Sequence, residues 1–521
     1  MTTTLAPFTT RYARSAMVCT IDHLAVGAGV AMLRAGGTAA DAAIATNAVL
    51  AVTAQHACGL GGDLFALVHR AGDDAPAALN ASGRAGSGAD PERLRAEGYT
   101  TMPRAGDIRA VPLPGCVDGW MALHDRFGRL ELGELLEPAR RYAADGFPAA
   151  PTLAAVTDVL AGVPEADDFV GREPLRAGDV VRRPGLARAL AAIAAEGRGG
   201  FYEGEFGEGL LALGAGEYTE EDLTRRNADW VQPLGVEVWG RRVWTIPPSS
   251  QGYIALAAAW IAERLPLPED PDDSAWAHLL VEAARQAGYD RDDVLYEGAD
   301  GAALISPERL APRLEAISAE RVADVEATFA GGGTAYMCAV DEQGLAISLI
   351  QSNFIRFGAL VVVPGVRIFL QNRGAAFSLV PGHPAEYGPR RRPPHTLSPL
   401  LVTGPNGRLD ALLGTMGGDS QPHTLLQLLA RRYVAGQSPG EALAAPRWLL
   451  KAERGRGGSV VAVEAHAPDA WFTGLAKRGH EVARRPSWAY EFGHAHLISA
   501  ETDYLAGAAD PRALTGAAGG Y

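Results

Sequence analysis

"FAGGGTAYMCAVDEQGLAISLIQSN", residues 329–353, sets three glycines before a single threonine, and the threonine before an apolar run that turns at Asp341–Gly344 and runs back. Asp-Glu-Gln-Gly between two such runs has the chemistry of a hairpin whose glycine takes a positive φ. Thr334 is therefore predicted at the start of a strand. A cut between Gly333 and Thr334 would make the threonine an N-terminal residue carrying its own base. A free α-amine, with an ordinary pKa of about 7.7 to 8.0, accepts the hydroxyl proton near neutral pH and removes the need for a histidine. The glycines then have a role, because self-cleavage requires the threonine oxygen to reach the preceding carbonyl and an adaptable backbone allows it. Taken alone, the stretch also reads as an ordinary loop entering an ordinary hairpin.

The rest of the chain narrows the function classes. With 521 residues, 47% hydrophobic and 21% charged, it can bury a large core. A net charge of -14 excludes a nucleic-acid partner, which needs a basic face. Cys19, Cys58, Cys116 and Cys338 show no C-x-x-C spacing, so neither a zinc site nor a disulfide framework is indicated and a reducing compartment fits. The start lacks a basic and apolar leader, and no window of about 18 apolar residues exists, so a cytoplasmic protein without a membrane partner is expected. "GHAH" (His494, His496) has no third ligand at metal spacing and reads as surface or strand decoration. There is no G-x-S-x-G elbow, no dinucleotide fingerprint in "GLGG" and no phosphate-loop lysine.

Helices are marked by their ends. Two apolar helices are predicted either side of Gly36-Gly37, the second beginning near Thr38, since paired glycines supply a left-handed cap. "DDSAWAHLLVEAARQAGYDRDDVLY" reads as one helix with Asp273 or Ser274 as N-cap, and Ser438-Pro439 with Glu441 as a capping box. "LLGTMGGDSQPHTLLQLLARRY" places Gly417 and Gly418 ahead of a helix starting near Gln421 or Pro422. Adjacent glycine N–H groups there form an anion nest suited to a tetrahedral oxyanion. "RRRPPHTLSPLL" sets the hydroxyls of Thr396 and Ser398 beside Arg392 and His395.

In order and spacing, "MLRAGGTAADAAIATNAVLAV", "CGLGGDLFALV", "VPLPGCVDGW", "PPSSQGY", "HLLVEAARQAGYDR", "TAYMCAVDEQGLAISL", "RRPPHTLSP", "GTMGGDSQP" and "AGAADPR" resemble the γ-glutamyltransferase family of N-terminal nucleophile (Ntn) hydrolases over nearly the whole chain. The resemblance implies an α+β fold, a four-layer αββα sandwich, with no metal and no organic cofactor. It also implies a precursor that processes itself into a large subunit, 1–333, and a small subunit, 334–521, which together make one structural unit. Thr334 matches the nucleophile, Ser352 a hydroxyl that supports it, and Gly417 and Gly418 the oxyanion-hole glycines. Partners would be the two subunits themselves, a second copy in a homodimer of processed heterodimers, and a small-molecule substrate.

The departures from the family concern that substrate. The arginine that holds a glutamyl α-carboxylate falls at Ser82, with Arg84 two residues on; the aspartate that binds the α-amine falls at Ala376; the paired serines become His395 and Thr396. A buried ammonium without a counter-ion is costly, so amino-acid recognition should be weak. "QNRGAAFSL" resembles the oxamate amidohydrolase and cephalosporin-acylase-like branch of the family. Arg84, Arg356, Arg373 and Arg392, with His395 and Thr396, are the candidates for binding an acyl group that ends in a carboxylate, such as an oxalyl or short dicarboxylic group. At least two of the four arginines are expected in structural ion pairs. Amide hydrolysis is the leading expectation. Genuine γ-glutamyl transfer or glutathione hydrolysis, carbon–carbon bond hydrolysis releasing an oxalyl-type fragment in alkylproline antibiotic biosynthesis, and an unprocessed binding protein are the alternatives.

Overall fold

The computed structural model describes residues 10–171, 173–325, 332–452 and 459–521. Phe329, Ala330 and Gly331 of the stretch quoted first lie outside them. Two seven-stranded antiparallel sheets face each other. The first runs in the order Ala517–Gly520, Met17–Thr20 (β1), Gly333–Val340 (β3), Ala346–Phe354 (β4), Asp63–His69 (β2), Ala77–Ala81 and Asp229–Val231. The second runs Arg11–Ala13, Leu505–Ala509, Ala495–Ala500, Leu409–Thr415 (β5), Leu400–Thr403, Arg241–Thr245 and Leu234–Val238.

Strand periodicity builds the layers. Along β3 and β4, Ala335, Met337, Ala339, Ile347 and Leu349 face helices His23–Arg34 (α1) and Ala39–Thr53 (α2). Tyr336, Cys338, Val340, Ala346 and Ile350 face the opposing sheet, where they meet Trp244, Leu401, Leu412 and Ile498. On the far side of that second sheet, Ala411, Leu413 and Leu497 pack under helices Gly252–Glu263 (α3), Ser274–Gly288 (α4) and Gln421–Tyr433 (α5). Side chains two apart share a face, so strands apolar on both faces must lie between two covered layers. The result is the αββα sandwich of the Ntn-hydrolase fold.

The helix ends follow their capping residues. Thr38 closes a capping box with Asp41, Asp273 caps α4, and Ser438 caps Pro439–Ala444 with Glu441. The run after Asp273 is not one helix: α4 ends at Gly288 and a separate turn covers Arg291–Val294. Asp290, at the break, accepts hydrogen bonds from Arg309 and Arg313. His494 and His496 are buried, which corrects the surface alternative, while His496 lies within Ala495–Ala500, the strand alternative of that expectation. No helix among the described residues is long and apolar enough to cross a membrane.

Candidate active site

β3 and β4 pair antiparallel, but their register shifts between Gly333 and Ala335: Gly333 lies opposite Phe354 and Ala335 opposite Gln351. Two residues of β4, Ser352 and Asn353, therefore oppose the single Thr334. Such a bulge re-aims side chains at the end of a ladder. Thr334 Oγ lies 2.7 Å from Gly333 O and 3.2 Å from Ser352 Oγ. Ser352 Oγ donates to the same Gly333 O at 2.6 Å and accepts from Phe354 N–H at 2.8 Å. Both hydroxyl residues are 2% exposed, so these bonds form where water does not compete. Gln351 points the other way and exchanges hydrogen bonds with the backbone of Gly59, as a period of two requires.

The backbone around this pair is held in uncommon conformations. Phe354 and Arg356 have φ of 73° and 46°, left-handed values for residues with side chains. Gly417 and Gly418, between β5 and α5, have φ of 145° and 59°, which glycine adopts freely. A Cβ on Gly332 would stand 3.2 Å from Gly418 Cα and 3.7 Å from Gly418 N, so the glycine turn lies against the chain that leads into Thr334. A cavity of about 190 Å³ opens here, lined by Gly332, Gly333, Arg356, Gly417, Lys451 and Tyr490 among others.

Gln251 holds the glycine turn. Its Nε2 donates to Gly418 O (3.0 Å) and Thr396 O (3.1 Å), and its Oε1 accepts from Arg291 Nε (2.9 Å), while Arg291 Nη2 pairs with Asp419 at 3.0 Å. Neither Gln251 nor Arg291 was a candidate from the sequence. Both sit inside quoted motifs, "PPSSQGY" and "AGYDR", yet nothing local indicates that they meet.

The basic residues divide sharply. Arg84 Nη1 pairs with Glu297 at 2.6 Å and donates to Arg390 O, and its Nη2 lies 3.5 Å from Asp229. Arg392 pairs with Asp229 at 2.9 Å and donates to Ser82 O and Asn227 O. These two are structural ion pairs, which corrects their assignment to the substrate carboxylate. Arg373 differs. It is 1% exposed, lies with its guanidinium carbon 3.5 Å from the Phe354 ring centroid, and donates from Nη2 to Thr396 Oγ1 at 2.7 Å. Its Nε and Nη1 have no partner among the described residues. Burial pulls this guanidinium down to about 9, so it stays charged at neutral pH. His395 donates from Nε2 to Asp63 Oδ2 at 2.9 Å, while its Nδ1 accepts from Leu397 N–H at 3.3 Å. Burial, then the Arg373 charge, hold it down to about 4, so it is neutral. Asp63 also accepts from Gly83 N–H and Gln371 Nε2, and Ser82 Oγ stands 3.4 Å from it.

A threonine and a serine converging on one backbone carbonyl at the end of an αββα sandwich, beside a two-glycine turn, define the Ntn class of hydrolase. The gamma-glutamyltranspeptidase family profile matches residues 25–520, and the chain belongs to that family. It is 36% identical to the oxamate amidohydrolase proenzyme of Klebsiella pneumoniae subsp. pneumoniae, over 96% of this chain and 97% of that one. It is 35% identical to the glutathione hydrolase-like YwrD proenzyme of Bacillus subtilis, over 95% and 97% of the two chains. Its fold superposes on the crystal structure of cephalosporin acylase from Bacillus halodurans with a TM-score of 0.90 at 34% identity, over 98% and 97% of the chains.

Proposed function

We propose that this chain is the precursor of an amidohydrolase that cleaves itself before Thr334 and then uses Thr334 to hydrolyse the amide of a small acid whose acyl group carries a carboxylate. The observation that carries the proposal is the pair of hydroxyls on Gly333 O. In cleavage, Thr334 Oγ attacks the Gly333 carbonyl carbon while Ser352 donates to the carbonyl oxygen as it gains charge. The Oγ proton passes to the departing Thr334 nitrogen, leaving an ester between Gly333 and the threonine oxygen. Water hydrolyses that ester to a Gly333 carboxylate and a free Thr334. In turnover, the α-amine takes the Oγ proton and gives it to the leaving amine, the Gly417–Gly418 turn stabilises the oxyanion, and water releases the acid.

The acyl preference rests on Arg373. A buried guanidinium with N–H groups left without acceptors is unfavourable until an anion supplies one, and a carboxylate oxygen does so in a charge-assisted hydrogen bond. Ser82 and Ala376 put no charged group where a glutamyl zwitterion would need one. The names of the two relatives, an oxamate amidohydrolase and a glutathione hydrolase-like protein, bracket the substrate range.

Mass spectrometry of the purified protein tests the reading. Wild type should give chains ending at Gly333 and beginning at Thr334, and Thr334→Ala should stay one chain with activity down at least about 10³-fold. An intact yet active wild type would sink it.

A further inference from the structure

Outside the active site, helix α4 presents His278, Glu282 and Arg285 along one face, one turn apart. They meet His480, which follows helix Asp469–Lys477 (α6). All four are buried. His278 Nδ1 lies 2.8 Å from His480 Nε2, and Glu282 Oε1 lies 3.8 Å from His480 and 3.0 Å from Arg285 Nη1. The nitrogens and carboxylate have metal-ligand identities. A direct ring-to-ring bond of 2.8 Å is, however, shorter than the spacing of about 3.3 Å that two zinc-bound nitrogens take, and Arg285 already neutralises the carboxylate.

What these side chains hold is a strap of backbone. His278 Nε2 bonds Ser318 O at 2.7 Å, and Glu282 Oε2 accepts Ala323 N–H at 2.8 Å. Arg285 Nη2 donates to Val325 O, and Arg478 Nε donates to Ala319 O at 2.8 Å. Arg478 O in turn accepts Val322 N–H at 2.8 Å. The grip comes from both sides of the proposed cut: α4 and the strap precede Gly333, whereas Arg478 and His480 follow Thr334.

We propose that this cluster is a latch that positions the scissile bond for self-cleavage. The proposal rests on the self-cleavage reading above. Eight positions separate Val325 from Gly333, and eighteen separate Gly333 from Glu315, where the preceding helix ends. With Val325 held, a fixed point before the cut lies ten positions nearer Gly333 than Glu315 does, which narrows where the scissile bond can sit. Glu282, Arg285 and His480 are thus positioning residues that act through the strap and touch no reacting atom.

The test follows precursor cleavage after in vitro translation, on denaturing gels, in wild type, Glu282→Ala, Glu282→Gln and Arg478→Ala. Arg478 is only partly buried, so its variant breaks one strap contact with little threat to folding. Cleavage should slow threefold or more in Glu282→Ala and less in Arg478→Ala. The glutamine, which keeps an acceptor for Ala323 N–H, should restore part of the rate. The catalytic efficiency of each fully matured enzyme should match wild type. Equal cleavage half-times in all four proteins would overturn the latch, as would matched losses in cleavage and matured activity. A wild-type half-time that changes with chelator or added zinc would replace it with a metal site. A wild-type chain that never cuts would instead defeat the self-cleavage reading itself.

Discussion

The hydroxyl pair at Thr334 and the buried guanidinium of Arg373 differ in what holds them. Around Thr334 the hydrogen bonds run between neighbours in a ladder: Gly333, Ser352 and Phe354 meet because two strands pair with a bulge. Around Arg373 the partners are Thr396, from the chain before Leu400–Thr403, and Phe354 and Asp63, which stand at the ends of the paired strands β4 and β2. The first arrangement is set by backbone periodicity and tolerates few substitutions. The second depends on which charges meet, and on the acyl reading proposed above it is where exchanges would alter the substrate while the chemistry stays.

Acidification is the bluntest perturbation and reaches both, because His56 lies against Gly333 and His395 beside Arg373. His56, His395, His423, His480, His494 and His496 are all held by burial well below their usual 6.5, to about 3 or 4. Between about pH 6.5 and 4 the unfolded chain binds protons there that the folded chain does not, so stability is fully present above 6.5 and is lost as pH falls. Thermal melts should show Tm dropping steeply from pH 6.5 to 4.5. A flat profile would mean that those rings are solvated.

Arg373→Met aims at the guanidinium alone. For an acyl group with a carboxylate, KM should rise ten- to a hundredfold, the worth of a charge-assisted hydrogen bond of about 1.5 to 3 kcal/mol, while a neutral acyl amide is untouched. Equal losses on both substrates would move Arg373 from recognition to scaffold. Ser352→Ala removes one hydrogen bond to Gly333 O, worth about 0.5 to 1.5 kcal/mol, and should lengthen the cleavage half-time roughly two- to twelvefold. Unchanged cleavage would show that Thr334 alone activates the carbonyl. The smallest effect belongs to Arg84→Met: with its guanidinium on Glu297 and Asp229, KM for either substrate should shift by less than about twofold, as for a partly exposed ion pair. A tenfold rise would return Arg84 to the acyl pocket.

What could be read in advance follows the same division. Thr38, Asp273 and Ser438 cap helices using residues within four positions, so these were legible, whereas Ser352 came from the family resemblance. Arg84 finds Glu297 across 213 positions, and Arg291 reaches Asp419 across 128. No local pattern announces such pairs. The "GHAH" histidines misled for a related reason: polar residues on a strand read as exposed unless a second sheet is known to cover them.

The order of strands in the first sheet has one more consequence. Ala517–Gly520, β3 and β4 come from after Gly333, and β1, β2, Ala77–Ala81 and Asp229–Val231 from before it, so β3 is clasped between a strand of each origin. A break beside Thr334 would thus produce two polypeptides braided through a shared fabric, with no seam along which to part. Such halves would melt as one cooperative body, at a temperature that falls on dilution because melting frees two chains, and pieces made separately would have to fold together rather than dock.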